Sequence, residues 1–501
     1  MKENSRTKNA LLNIIFGYIA QIGILVLSFV GRKIFLNYLS ADYLGINGLY
    51  SNILTILSLA ELGLDTAAVY SLYKPVAERD NATIVSLLKF FKKIYYVLAF
   101  GILVLGLCFV PFLKFLIRSD LNQNDLIIYY VLFLINTVAS YFVAHKVALL
   151  SAFQQQRIQK IVTLISNIIL QIMHIVVLVI WKNFYFYIIA TICSTFLTNI
   201  ILSITCSKIH PEIFNCTKIV KVDKKPIVER IKSTFLYKIG AVLINNTDNI
   251  LISVMVSTVA VGYYSNYLAV ISGLQGFLAI ITTSMVSGIG NLAVKGNEKD
   301  QARLFDIMLL FYHMIGALGL IGFSLLFNNL ITIWLGSEYL FDEKTVFIIA
   351  FNFYISTVIS PVWMFREANG MFEKVKYILL IRALLNLILS ILLGKLWGVF
   401  GILFATTISL FLTNFWIEPI ILCKDILRRK QSDYWLKQLK YALISAVAFI
   451  LCYLAIFKLG DSLLWLITKA LIICLITFTL FVLMNYKTDE LIGIKSYIIK
   501  K

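Results

Sequence analysis

Apolar runs of about twenty residues, each long enough to cross the hydrocarbon core of a bilayer, recur along the whole chain. No other feature limits the fold as severely. Inside lipid every backbone N–H and C=O must find an internal partner, so only helices and closed barrels can span. Runs of this length are helical, because a spanning strand needs only about ten residues. Fourteen are read: Ala10–Val30, Tyr43–Leu72, Ile94–Ile117, Leu126–Leu150, Ile161–Trp181, Phe184–Cys206, Phe235–Ser257, Val259–Val294, Leu304–Leu335, Thr345–Ala368, Val375–Leu396, Val399–Cys423, Leu436–Phe457 and Ser462–Tyr486. They occupy roughly 280 positions at about 20 residues each, and no extramembrane domain fits in the remainder. The expectation is an all-α integral membrane protein.

Composition excludes the alternatives. Of 501 residues, 60% are apolar and 14% charged, with a mean hydropathy of +0.87, whereas a soluble domain carries about 25% charge. A cytosolic enzyme, a disordered chain and a secreted disulfide scaffold are all ruled out. The seven cysteines form no CxxC pair, and the four histidines are far apart in sequence. Neither a metal site nor a disulfide framework is expected. No GxxxxGK[ST] loop exists for ATP, and no cofactor is expected.

The net charge of +19 reads as sidedness rather than nucleic-acid binding, because membrane proteins keep Lys and Arg in cytoplasmic loops. With the N-terminus inside, the outward side holds only Arg32, Lys33, Lys114, Arg118, Lys182, Lys344, Lys395 and Lys458. Lys238, Arg382 and Lys469 fall at membrane depth, and the other 34 of the 45 cations face the cytoplasm. Both termini are therefore expected to be cytoplasmic. The basic start and the run Ala10–Val30 read as a retained first helix, since no small-residue cleavage site follows.

A slide of 217 residues lays Ser40, Gly45 and Tyr50 on Ser257, Gly262 and Tyr267. It also lays Gln21 on Lys238, Ser28 on Asn245 and Arg32 on Asn249. Six spans per half make such repeats parallel. The expected organisation is an N-lobe over 1–206, a basic cytoplasmic linker over 207–234, a C-lobe over 235–423, and two further helices with a tail over 424–501.

Polar residues mark the faces that avoid lipid. Asn47, Ser51, Thr55, Ser58, Glu61 and Asp65 are separated by four, four, three, three and four residues, which places them on one side of a single helix. Span one carries Gln21 and Arg32, and span seven carries Lys238, Asn245, Asp248 and Asn249. Such stripes line water or meet one another; interhelical hydrogen bonds that merely hold a bundle together are the plainer reading. Arg366 and Lys146 also fit snorkelling at the boundary, His174 and His313 fit packing, and the many Phe and Tyr fit lipid-facing and interfacial positions. The expected substrate-contacting residues are Arg32, Lys238, Arg382, Arg366, Gln21, Asn47, Ser51, Asn245 and Asn249. Glu61, Asp65 and Asp248 are the candidates for ion coupling, with counter-ions to Lys238 or Arg382 as the alternative role for Glu61 and Asp65.

The run Tyr43-Leu44-Gly45-Ile46-Asn47-Gly48-Leu49-Tyr50-Ser51-Asn52-Ile53-Leu54, with Leu57-Ser58-Leu59-Ala60-Glu61-Leu62-Gly63 and Tyr70-Ser71-Leu72-Tyr73-Lys74-Pro75, resembles the Wzx-type polysaccharide repeat-unit flippases of the multidrug/oligosaccharidyl-lipid/polysaccharide exporter superfamily. The resemblance implies two parallel-repeat six-helix lobes, MATE-like, plus two C-terminal helices, in a multi-pass protein of the cell membrane. It implies alternating access that moves undecaprenyl-pyrophosphate-linked oligosaccharide from the inner to the outer leaflet for capsule or exopolysaccharide synthesis. The implied partners are that lipid-linked substrate, membrane lipids, a coupling proton or sodium ion, and other polysaccharide assembly proteins. A multidrug cation antiporter and a lipid II flippase share the fold. A glycan polymerase would need larger outer loops.

Overall fold

The computed structural model describes residues 22–61, 63–294 and 298–493, and no strand occurs among them. Packing divides the chain into two compact units, Met1–Gly262 and Tyr263–Lys501. Ten helices among the described residues are long and apolar enough to cross a membrane, one of them the 52-residue stretch Lys374–Asp425 that holds two of the expected spans. The expected spans missing from these ten are the first, second and seventh. These three carry the polar stripes, and the first lies partly outside the described residues.

In the first unit the helices are α1 (22–38), α2 (Ala41–Leu57), α3 (Leu64–Glu78), α4 (Asn81–Phe109), the single turn α5 (Leu113–Leu116), α6 (Gln123–Ser140), α7 (Ala144–Ala152), α8 (Gln156–Trp181), α9 (Phe184–Ile209), α10 (Pro211–Phe214) and α11 (Lys225–Met255). One sequence expectation is corrected here. Tyr43–Leu72 is not one helix: α2 tightens into a 3₁₀ turn over Ser58–Glu61, and the chain then breaks at Gly63, whose φ of +94° is left-handed. A residue with a Cβ would be strained there. Asn47, Ser51 and Thr55 therefore share the face of α2, Ser58 and Glu61 follow on the turn, and Asp65 starts a separate helix.

A second correction concerns the aromatics. Many rings do face outward, yet the largest fully buried side chains of this unit are Tyr50, Tyr95, Tyr130, Phe91 and Phe184. The Tyr50 hydroxyl donates to the Leu126 carbonyl at 2.8 Å, which gives a buried phenol the partner it requires. Phe184 packs against Phe35, Tyr43, Tyr129 and Tyr187, joining α1, α2, α6 and α9. Gly45 and Gly262, equivalent in the 217-residue slide, meet at the crossing of α2 with the first residues of the following helix. A Cβ on Gly45 would lie 1.9 Å from the Thr258 carbonyl oxygen, and one on Gly262 would lie 2.2 Å from that of Ala41. Only glycine permits this approach.

That following helix is α12 (Thr258–Val294), and the second unit continues with α13 (Glu298–Trp334), α14 (Glu343–Ala368), α15 (Phe372–Leu412), α16 (Asn414–Asp425), α17 (Gln431–Ile456) and α18 (Leu463–Asn485). Helix α15 is kinked at Gly398, with φ +59° and ψ −134°, at the junction of two expected spans. Helices α13 and α14 form the buried heart of this unit, with 72% of each spanning window enclosed. His313 on α13 is packed. It contacts Gln438 of α17 at 2.7 Å, and Gln438 in turn donates to the Tyr434 hydroxyl at 2.6 Å.

Candidate functional site

The first unit holds a polar cavity of about 520 Å³. One wall is α2 with its 3₁₀ turn, giving Asn47, Ser51, Thr55, Ser58 and Glu61; the opposite walls are α6, α8 and α9, giving Asn136, Thr137, Ser140, Tyr141, His174, Tyr187 and Thr191. The α2 stripe thus faces other polar residues. Asn136, Thr137, Ser140 and Tyr141 were not anticipated, although their spacing of one, three and one places them on one helix face.

Five of the hydroxyls on these walls share a bonding state. Ser51 donates to the Asn47 carbonyl and Thr55 to that of Ser51, both at 2.7 Å; Thr137 donates to that of Phe133 at 3.0 Å. Ser140 donates to Thr137 at 2.7 Å and Thr191 to Tyr187 at 3.2 Å. A hydroxyl has one hydrogen and two lone pairs, so these side chains spend their hydrogen on their own helix and present acceptors to the cavity. The His174 and Tyr187 rings stack at 3.7 Å between centroids, and His174 contacts the Thr191 hydroxyl at 2.9 Å. Ring edge and phenol together form a flat aromatic patch on an otherwise acceptor-rich wall.

Charge lies at one end. The Glu61 carboxylate is within hydrogen-bonding reach of the Tyr141 hydroxyl and within electrostatic reach of Asp65 and Lys238. The Tyr95 hydroxyl donates to the Asp65 carboxylate. Lys238 on α11 points its Nζ toward the Thr66 hydroxyl at 3.4 Å. Arg32 on α1 is half-buried, lies in electrostatic range of Tyr187 and has a buried Nη1 with no hydrogen-bond partner among the described residues. Neither Arg32 nor Lys238 lines the cavity.

The other sequence-derived candidates lie elsewhere. Gln21 is outside the described residues. On α11, Asn245 is exposed and Asn249 is half-buried, its Oδ1 enclosed with no hydrogen-bond partner among the described residues; Asp248 is half-buried on the same helix and has interactions of its own. Arg366 and Arg382 belong to the second unit, where both are buried. The Arg366 Nη1 donates to both oxygens of Glu418, at 2.9 and 2.8 Å, and Asn414 donates to the same carboxylate. Arg382 lies in electrostatic range of Glu418. Glu418, 2% exposed, is the residue that sequence reasoning missed; a lone carboxylate in an otherwise apolar span was its signal. Helices α17 and α18 of this unit also frame an apolar groove of about 370 Å³, lined by Leu436, Leu439, Leu443 and Met484, with Lys440 beside it.

Ten helices among the described residues, long and apolar enough to span a bilayer, define a multi-pass membrane protein, one unit of which holds a polar cavity. Solved structures agree on the fold. The chain is similar to the lipid II flippase MurJ in an inward closed conformation, with a TM-score of 0.71 and 17% identity over 94% of this chain and 99% of that one. It is also similar to an inward-facing multidrug resistance MATE family transporter of the MOP superfamily (TM-score 0.56, 12% identity, 79% and 96% covered) and to a MATE structure in a bent conformation (0.54, 12%, 80% and 93%). At these identities the likeness is one of fold. Residues 10–287, more than half of the sequence, match the polysaccharide biosynthesis protein family, and the chain belongs to that family. No curated protein sequence matches it.

Proposed function

We propose that the protein moves a polyprenyl-pyrophosphate-linked oligosaccharide from the inner to the outer leaflet of the cell membrane by alternating access, supplying capsule or exopolysaccharide synthesis. The observation that carries this reading is the acceptor-rich cavity of about 520 Å³. A sugar offers many hydroxyl hydrogens, which these oxygens are oriented to accept, and an apolar sugar face suits the patch formed by His174 and Tyr187. The diphosphate is met outside this cavity by cations, with Arg32 and Lys238 of the same unit as the candidates; an arginine fork matches phosphate geometry. The apolar groove between α17 and α18, with Lys440 beside it, has the chemistry for a prenyl chain.

Glu61 supports a second reading. A carboxylate in an acceptor-lined cavity also suits an organic cation, as in a multidrug antiporter. Binding separates the two. Purified protein should be stabilised by a polyprenyl-pyrophosphate oligosaccharide more than by the bare polyprenyl pyrophosphate, and Asn47→Ala with Ser51→Ala should erase the difference. Stabilisation by cationic drugs alone would favour the antiporter. Coupling to a proton or sodium ion through Glu61, Asp65 or Asp248, cytoplasmic termini and contact with other polysaccharide assembly proteins complete the proposal.

A further inference from the structure

Helix α4 carries a basic and apolar face that nothing in the proposed transport cycle uses. Lys89, Lys92, Lys93, Tyr96, Val97 and Phe100 follow the three-and-four spacing of one helix side, and all six are exposed. Together they border an open groove of about 490 Å³. The face changes character sharply along the helix axis: its first turn is cationic and the next two are aromatic and aliphatic, with Val97 61% and Phe100 67% exposed.

Helix length sets this face against the bilayer. The span Ile94–Ile117, longer than the about 20 residues at about 1.5 Å each that cover the roughly 30 Å hydrocarbon core, begins one residue after Lys93. The three lysines therefore stand where the hydrocarbon meets the headgroups, and Phe100 lies well inside it. Among the described residues none of the three pairs with a carboxylate. Lys92 instead has its Nζ 5.4 Å from the Tyr96 ring centroid.

More positive charge converges on the same level from other parts of the unit. The Val220 N–H donates to the Ser86 hydroxyl at 2.9 Å, fastening the segment before α11 against α4. This brings the Lys224 Nζ to 5.1 Å from the Phe90 ring centroid. Lys146, held by Ser203 and Ser207, is within electrostatic reach of Lys92. The acids nearest this level are Asp223 in the same segment and Glu212 on α10, which packs against α4, and among the described residues neither forms an ion pair with the three lysines, so the face keeps a net positive charge that suits an anion.

We propose that this face is a binding site for an anionic phospholipid, its phosphate held by Lys89, Lys92 and Lys93 and an acyl chain laid along Tyr96, Val97 and Phe100. Charge complementarity selects the headgroup, and the exposed apolar turns beneath it select a lipid over a free phosphate ion. The site is independent of the transported substrate.

The test is native mass spectrometry of the full-length protein in detergent, titrated with phosphatidylglycerol and, separately, with phosphatidylcholine of the same acyl chains. The wild-type protein should retain phosphatidylglycerol preferentially. The triple variant Lys89→Ala/Lys92→Ala/Lys93→Ala should lose affinity for one bound phosphatidylglycerol on the order of a hundredfold, since each lysine near an anionic surface contributes about fivefold. The triple arginine variant should keep it, and Phe100→Ser should weaken both lipids. All the substituted side chains are exposed, so the fold is expected to survive, and an unchanged melting temperature would verify this. Equal retention of the two lipids by the wild type, or undiminished phosphatidylglycerol binding by the triple alanine variant, would overturn the proposal.

Discussion

Among the described residues of the second unit, Glu418 is the most buried carboxylate, 2% exposed. Glu418 faces Arg366 and, at longer range, Arg382, and breaking such a buried pair costs about 3–5 kcal/mol because the partner is left uncompensated. Glu418→Ala should therefore lower the thermal stability of the purified protein by several degrees or abolish its recovery. Arg366→Met combined with Glu418→Leu should restore most of it, since an apolar pair of similar volume avoids the desolvation cost. A Glu418→Ala protein as stable as the wild type would remove the ion pair from the list of what holds α14 to α16. In the first unit, Glu61 lies within electrostatic reach of Lys238. Glu61→Gln and Lys238→Gln should each slow transport, and the double variant should lose less than the product of the two effects, with a coupling of about 0.5–3 kcal/mol. Multiplicative losses would show that the two residues act separately, and loss of gradient dependence in Glu61→Gln alone would favour the ion-coupling role. The sequence shows the α2 side of the cavity plainly, because Asn47, Ser51, Thr55, Ser58 and Glu61 interrupt an apolar run at helical spacing. It hides the facing wall: α8 carries Asn167, Gln171 and His174 and α9 carries Thr191, Thr195 and Thr198, and only tertiary packing shows which of these polar residues, His174 and Thr191, lie opposite α2.

At the level of elements, two glycines decide how the second span is built. Gly63 adopts a left-handed φ, so Gly63→Ala should destabilise by about 1–2 kcal/mol, read as a lower melting temperature, with Gly63→Asn costing less. Gly45→Ala should fail more severely, because its Cβ would collide with the Thr258 carbonyl oxygen. Gly101→Ala is the internal control: nothing lies within 4 Å of the added carbon, and alanine favours the helix. Equal behaviour of Gly45→Ala and Gly101→Ala would contradict the close helix crossing. The break at Gly63 could not be read from hydrophobic periodicity, which runs through it without a pause; a glycine's φ is set by the packing on either side. The spans Val375–Leu396 and Val399–Cys423, separable in the sequence, are also separate in the backbone, because Gly398 between them takes a non-helical φ of +59° and ψ of −134°. A pH effect belongs to this scale too. Burial alone would raise the pKa of Glu490, but hydrogen bonding and ion pairing with Lys437 hold it below the usual carboxylate range. The stabilisation this gives the C-terminal segment is present above the unfolded carboxylate pKa and lost as pH falls through the lower folded value. Hydrogen exchange after residue 485 should accelerate on acidification, and Glu490→Gln should remove that response.

For the whole molecule, the distribution of lysine and arginine predicts orientation. Reporters fused after Lys74, Lys221, Lys430 and Lys501 should read as cytoplasmic, and those near Asp120 and Asp342 as external. An external signal at Lys221 would reverse the parallel-repeat organisation. The broad architecture was legible because bilayer thickness imposes a length on every span, and length survives in sequence. The polar face of α2 was legible as well. The division of packing into Met1–Gly262 and Tyr263–Lys501 was not, because it depends on which neighbours α11 and the start of α12 choose. The most direct measurement of function is made in proteoliposomes containing only this protein, with a polyprenyl-pyrophosphate oligosaccharide in one leaflet and a fluorescent organic cation in the lumen. The prediction is that the oligosaccharide becomes accessible on the opposite face faster than in empty liposomes, without ATP, while the cation is retained. Gradient-driven efflux of the cation with no movement of the lipid-linked sugar would contradict it.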